Sequence, residues 1–464
     1  MAADLSRSLG LSPNTSMATL WDALIVGAGP SGVIAAERLR RRGHRVLQLD
    51  VGPRLPDDGE IPEVDRRAWP FTTVGGSYDW YRVRAVGGRS LLWGGWCFRF
   101  PESSFRRSGW PLGAEELAPA YAQLEQRLGV VEGVLDERYR SLAKALELSI
   151  VPKRGMPVAA GRTWAPRLYA PRVRTHTVAL RLEHQHRRVH TVPVFDLRTE
   201  TVKQVRARVV ILCASPIETA RILIESELES HAERIGRGFV DHMVAGYVVL
   251  EPAAPPSREG RGPFPGSALV ESAVDERDGK KRPYPGGFSI ELRGPVTLES
   301  LDIERMAPPG EEERTRATLI HAIGETGAID ERYVDLDPSK RDITGRRVPR
   351  VHVAFSKAEE QLAKDMKKAC LRVADALAIP GSRVIAFGDP LQAGAGHEAG
   401  TVAMGLDEAA PTDVRGRLRA LENVWVADSS ALPTAGDRHP TLTALAHALR
   451  ATDDAAKFLE GSRG

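Results

Sequence analysis

The sequence predicts a mixed α/β protein: a parallel, Rossmann-like dinucleotide-binding sheet, joined to a second domain built on an antiparallel sheet. Three observations predict it. Residues 22–52 read as strand, glycine turn, helix, strand. A second apolar run, VVILCA at 209–214, leads into a helical pattern at 217–225, which makes another βα unit. Residues 175–195 and 244–250 alternate apolar and polar, as half-buried antiparallel strands do. At 464 residues the chain exceeds one ordinary core, so two closely packed domains are expected.

The first unit is the most informative. Residues 23–26 form a short apolar run of the kind a buried parallel strand uses, and Gly27, Gly29 and Gly32 then fit G-x-G-x-x-G, with Pro30 and Ser31 inside it. The first glycine allows the tight turn, the second lets backbone approach a pyrophosphate, and the third lets the helix pack close to the strand. The helix turns its first N–H groups and its positive end toward that phosphate. Residues 46–49 are the second strand, closed by Asp50, 18 residues after Gly32, where a carboxylate can accept from ribose hydroxyls. An acid there argues against a 2′-phosphate. These residues alone leave NAD and FAD equal.

Composition excludes several classes. Net charge is only +3 with the basic residues scattered among acids, which leaves no electrostatic footprint for nucleic acid. Three cysteines, Cys97, Cys213 and Cys370, lie far apart without metal-type spacing. Sparse, odd cysteines point to buried thiols in a reducing compartment, and so to the cytoplasm. No run reaches the ~18 apolar residues of a membrane span. Residues 1–19 lack a continuous apolar core and read as a flexible leader, not a signal peptide.

Along the chain, a proline-marked loop at 53–62 leads to a block holding Trp69, Trp80, Trp93, Trp96 and Trp110. Inside it lies VGGRSLLWGGW, 86–96, whose paired glycines suggest a second close approach of backbone to a ligand, or a loop packed on aromatics. Amphipathic helices are expected at 115–128, with Leu117, Tyr121, Leu124 and Leu128 on one face, near 142–148, and at 357–377. Residues 151–172 read as loop. In 175–195, Val178, Leu180 and Leu182 point one way. His176, His184, His186 and His190 fall on the polar faces of these strands, and no metal site is expected. GRGFVDH, 236–242, is a turn-rich crossing. Residues 251–288 and 303–316, the latter with an acidic run at 311–313, read as long loops, and 335–347 as a polar turn segment.

The tail is the second informative region. GHEAGT, 396–401, places His397 in a small-residue loop, and NVWVADSS, 423–430, is a buried strand ending in Asp428. In GDRHPTLTALAHALR, 436–450, Pro440 suits the first position of a helix running through residue 455, Thr441 and Thr443 suit its first turn, and His439 sits beside its cap. A histidine at a helix N-terminus is biased toward its neutral form and is a usable general base. It is also a plain capping group, and the residues alone do not choose.

Taken together, these motifs resemble the glucose–methanol–choline (GMC) flavin oxidoreductase family, and within it pyranose-oxidase and sugar-dehydrogenase relatives. The resemblance rests on GAGPSG with Asp50, GGRSLLWGG, ASPIETARIL at 214–223, GRGFVDH, and the ordered tail HEAGT, DSSALPT, HPTLTALA. It implies that the dinucleotide is FAD. The implied cofactor contacts are Gly27, Gly29, Pro30, Ser31, Gly32 and Asp50 in the finger, and Gly87, Arg89, Ser90 and Gly94 in the second loop. Val178, Ala214, Asp428, Pro440 and Thr441 complete the set. It implies His397 and His439 as the catalytic pair, with either as base. His439 departs from the Asn usual in the pyranose-oxidase group. Some of those relatives attach FAD through a histidine in the second glycine loop; here that loop reads SLLWGG, so FAD is expected to be non-covalent.

The implied reaction is oxidation of an alcohol, such as a sugar, glycoside or polyol-like metabolite, with hydride passing to flavin N5 and electrons on to oxygen or another acceptor. A hydroxynitrile-lyase-type reaction and a non-catalytic flavin-binding role are the alternatives. The FAD-binding domain is expected to be discontinuous, 20–100, 165–243 and 395–462, with a substrate domain at 101–164 and 244–394. Partners are a small-molecule alcohol or sugar, without nucleic acid or membrane span, and homo-oligomerisation is open.

Overall fold

The computed structural model describes residues 19–56, 60, 63–157, 172–252, 263–271, 282–284, 286–299, 306, 315–392 and 394–461. The leader, most of the 151–172 loop, much of the two long loops and the 311–313 acidic run lie outside the described residues.

The fold is mixed α/β. Strand Leu20–Val26 is the centre of the first sheet, with Val46–Leu49 and Thr201–Leu212 parallel on either side of it. The expected strand at 209–214 is the second half of the longer Thr201–Leu212. Its first half pairs antiparallel with Arg188–Asp196; its second half pairs parallel with both Leu20–Val26 and Val424–Val426. The polar alternation of TVKQVRA hides that first half, because only one of its faces is buried.

Helix Pro30–Arg41 and helix Thr441–Gly461 cover one face of this sheet. Their contacts are mostly alanines: Ala35 and Ala36 on one, Ala448, Ala451 and Ala455 on the other. Small side chains let both helices approach the strands closely. Helix Ala114–Leu128 presents the predicted face of Leu117, Tyr121, Leu124 and Leu128 to the core beneath the other face, and Tyr121 Oη lies 2.8 Å from Thr443 Oγ1.

The second sheet is antiparallel and six-stranded, in the order Arg383–Phe387, Met243–Glu251, Arg316–Gly324, Phe288–Thr297, Ser267–Val270, Ile150–Pro152. Helix Lys357–Leu377 lies on one face with Leu362, Met366, Cys370 and Val373. It starts at Ser356, whose hydroxyl and the Glu359 carboxylate cap each other's backbone N–H. The other face carries Glu291 and its cross-strand partner His321 toward the first sheet. All three cysteines are buried, as expected.

Five local expectations change. Within the long loop expected at 251–288, residues Ser267–Val270 form a strand, paired on both sides in the second sheet. The segment 335–347 is not a turn region: it holds Val334–Arg341 and the start of Arg347–His352, two antiparallel strands. Cross-strand Arg350–Asp335 pairing at 2.6 Å gives that hairpin its polar sequence. The second helix runs Glu137–Leu146, earlier than expected, because Asp136 caps it. Leu182 leaves Val178 and Leu180, which pack on Trp69, and joins the main core, since the strand ends at Ala179. Pro440 precedes the last helix instead of opening it; its carbonyl accepts the first helical bond, from Ala444.

Candidate active site

The site grows from the two glycine loops. Gly27 has φ +105°, and a Cβ there would stand 2.2 Å from the Cys213 carbonyl oxygen. A Cβ on Gly32 would stand 2.1 Å from the Gly27 carbonyl, so the helix needs glycine to pack onto the turn. Gly29 is different: nothing lies within 4 Å of a Cβ there. That open space is the cavity. The second loop, Val86 onward, docks beside the first through Gly87 N–H to Ala28 carbonyl at 2.8 Å.

The cavity encloses about 450 Å³. Gly27, Gly29, Pro30, Ser31, Asp50, Arg89, Ser90, Val178, Ala214, Asp428, Pro440, Thr441 and His397 all line it. Gly32 and Gly87 sit behind this lining as packing residues, and the Gly94 carbonyl accepts from Lys153 Nζ at 2.7 Å. His439 lies next to His397, stacked on Trp96 with centroids 5.6 Å apart.

Asp50 accepts backbone N–H groups from Ala28 and Gly52, each at 2.8 Å. Burial nonetheless pushes it up to about 6. Asp428 accepts from the backbone of Ser215 at 2.8 Å and Ser430 at 2.9 Å, tying the last strand to the start of helix Pro216–Glu225. Arg82, Arg84 and Arg346 also line the cavity. Buried Glu218 pairs with the last two and drops to about 2, as Arg221, Arg346 and Arg84 outweigh its desolvation.

The second centre is a chain of imidazoles. His242 Nε2 lies 2.8 Å from the Gly436 carbonyl oxygen, and its Nδ1 lies 2.8 Å from His397 Nδ1. His397 Nε2 faces His439 Nδ1 at 3.3 Å, and His439 Nε2 meets the Glu291 carboxylate. His321 Nδ1 lies 3.6 Å from the other oxygen of Glu291.

A carbonyl oxygen only accepts, so His242 Nε2 carries a hydrogen. Burial pushes His242 down to about 4, so at neutral pH its Nδ1 is a bare acceptor. His397 therefore donates from Nδ1. Burial, then the neighbouring His242 and His439 rings, hold His397 well below the usual imidazole range, so its Nε2 is bare. Burial opposes ionisation of Glu291, but His439 and His321 outweigh it and keep the carboxylate charged. His439 Nε2 donates to Glu291, and its Nδ1 faces the bare His397 Nε2.

Below the imidazoles, Asp241 accepts from the backbone N–H of both His242 and His397, each at 2.8 Å. Tyr78 Oη bridges Asp241 at 3.2 Å and Glu398 at 3.1 Å, and Arg89 pairs with Glu398. Burial, then the charge of Glu398, raise the Asp241 carboxyl.

His242 lies within GRGFVDH, a segment whose sequence gives it no role, and the sequence does not single out Glu291 or Tyr78. One signal for Glu291 was present: a lone acid in the apolar strand FSIEL. Among the described residues no cluster of three His, Cys, Asp or Glu is placed to hold a metal ion.

The chain is similar to several known proteins. Residues 331–448 match the family model described as GMC oxidoreductase, and residues 25–56 match an NAD(P)-binding Rossmann-like domain. The chain is 27% identical to 6'''-hydroxyparomomycin C oxidase of Streptomyces lividus, over 98% of this chain and 94% of that one. It is 28% identical to paromamine 6'-oxidase of Streptomyces fradiae, over 93% and 90%. The solved structure of a pyridoxine 4-oxidase from Mesorbium loti shares the fold, with a TM-score of 0.63 at 19% identity over 94% of this chain and 99% of that one. Over its C-terminal quarter, which carries His397 and His439, this chain resembles the GMC oxidoreductases.

Proposed function

We propose that this protein binds FAD non-covalently and oxidises a hydroxyl of a sugar-like alcohol to a carbonyl. The observation that carries the reading is the pair His397 Nε2 and His439 Nδ1, facing each other at 3.3 Å beside the glycine-lined cavity. One nitrogen is bare and the other carries a hydrogen. A hydroxyl that displaces their direct contact meets an acceptor for its proton and a donor for its oxygen.

The cavity fits the dinucleotide by its own residues: the open face of Gly29, the buried Asp50 carboxylate, and Arg82, Arg84 and Arg346 for anionic groups. FAD bound there supplies the acceptor for the carbinol hydride. The remaining steps belong to the chain. His397 Nε2 takes the hydroxyl proton. His439 hydrogen-bonds the oxygen, and Glu291 holds His439 through its Nε2. Trp96 holds the plane of His439 by stacking. The sugar-like substrate class follows the two matched oxidases, whose names specify paromamine and a paromomycin derivative.

The test is anaerobic. Purified protein should show flavin absorbance, and acid precipitation should release free FAD. Paromamine, simple sugars and diols should then be screened for bleaching of that absorbance. A protein without flavin that also fails to take up added FAD would sink the cofactor reading. Cleavage of a cyanohydrin without bleaching would make it a lyase instead.

A further inference from the structure

We propose that His242 is a positioning residue for His397: it fixes the ring and the tautomer that leave the Nε2 lone pair facing the substrate. The inference rests on the reading of His397 as proton acceptor.

Imidazole has two nitrogens and a soft ring torsion, so a neutral histidine in a cavity has no intrinsic preference for the tautomer a base needs. In this chain the choice is made at the far end of a two-bond relay. The Gly436 carbonyl at 2.8 Å forces the hydrogen of His242 onto Nε2. The bare Nδ1 of His242 then accepts from His397 Nδ1 at 2.8 Å. Swapping the hydrogen of His397 to Nε2 would set two lone pairs against each other at that distance.

The main chain makes the relay rigid. A single oxygen of Asp241 accepts from both His242 N–H and His397 N–H, so the two backbones cannot drift apart independently. The rings meet edge to face, with centroids 4.9 Å apart and planes at 80°. His242 is only 2% exposed. It is too deep to meet a substrate beyond His397, which separates positioning from catalysis.

Two variants divide the roles of the two His242 nitrogens. In His242→Asn the amide oxygen stands near the place of Nδ1 and still accepts from His397, while the link to Gly436 is lost. In His242→Gln the longer amide still donates to Gly436, while no acceptor remains beside His397. The first readout needs no substrate. Nitrogen NMR of the histidine-labelled holoprotein at pH 7.5 distinguishes protonated from bare ring nitrogens, with His397 assigned by the signals lost in His397→Gln. His397 should be protonated at Nδ1 in wild type and in His242→Asn, and mixed or protonated at Nε2 in His242→Gln.

The second readout is anaerobic flavin reduction by the alcohol that bleaches wild type. His242→Gln should lower the limiting rate by about 10–100-fold, with half-saturation little changed, and His242→Asn should restore it. A merely structural role would show the opposite order, since the loop contact survives only in His242→Gln. His397 protonated at Nε2 in wild type, or a tautomer unchanged in His242→Gln, would overturn the proposal. If no alcohol reduces the flavin, the function reading falls, while the nitrogen spectra still decide this one.

Discussion

The backbone N–H of Gly87 donates to the carbonyl of Ala28 at 2.8 Å, so the two glycine loops of this chain form one wall. Within that wall the glycines differ in kind. Gly29 has open space where a Cβ would stand, and Gly27 has none. Gly29→Ala should leave the melting temperature of the cofactor-free protein unchanged and weaken FAD binding on the order of tenfold, or about 1.4 kcal/mol. Gly27→Ala, at φ +105° and against the Cys213 carbonyl, should cost about 3 kcal/mol of folding stability. Titration calorimetry and denaturant melts separate the two. Equal damage to folding in both would refute the assignment of Gly29 to the ligand.

Glu291 reaches His439 from the second sheet and accepts from its Nε2. Glu291→Gln keeps the shape and removes the charge. Flavin reduction should slow by about 10–100-fold while FAD content stays the same. Stopped-flow reduction with and without the substitution reads this directly; an unaltered rate would remove Glu291 from the mechanism.

Glu325 gives a pH signature in stability. It is 3% exposed, and its Oε1 accepts from Ser108 at 2.6 Å and Thr434 at 2.5 Å. Burial, reinforced by Asp437, pushes it up to about 7 from an ordinary 4.5. The folded state therefore holds this proton more tightly than the unfolded chain. Its contribution is complete below pH 4.5 and is lost as pH rises through 7. The full loss is about 3 kcal/mol. Glu325→Gln imitates the neutral acid. Stability of the variant relative to wild type should therefore grow by about that amount between pH 4.5 and 8 in urea melts. A difference independent of pH would show that Glu325 is ionised throughout.

The helix over the second sheet should tolerate no loss of volume. Leu362 is fully buried against that sheet, so Leu362→Ala should cost about 2–5 kcal/mol. FAD affinity of the folded fraction should be unchanged, because the dinucleotide cavity draws nothing from this helix. Weakened affinity would indicate coupling between the two cores.

Much of the first sheet was legible because its signals are local. Gly27, Gly29, Gly32 and Asp50 lie within one βα unit, and their spacing follows from helix and strand geometry. Helix Lys357–Leu377 was legible for the same reason: its period and its Ser356 cap are written side by side. The polar hairpin was not, since Asp335 and Arg350 stabilise it only after the strands have paired. Likewise His242 and Glu291 meet His397 and His439 across 155 and 148 residues, and no local pattern encodes such a meeting. Asp50 shows an intermediate case. Its place was clear from the strand end, but its two backbone partners appear only in three dimensions.

The long strand Thr201–Leu212 waits for its last neighbour. Val424–Val426 slots in beside residues 210–212, and the helix that follows delivers Thr441 to the cavity. That flank of the sheet is therefore filled by residues made more than 200 positions after the strand they pair with. Until residue 439 has left the ribosome, the His397–His439 pair does not exist. The pair on which the proposed oxidation rests is thus assembled last, when the polypeptide closes its own sheet.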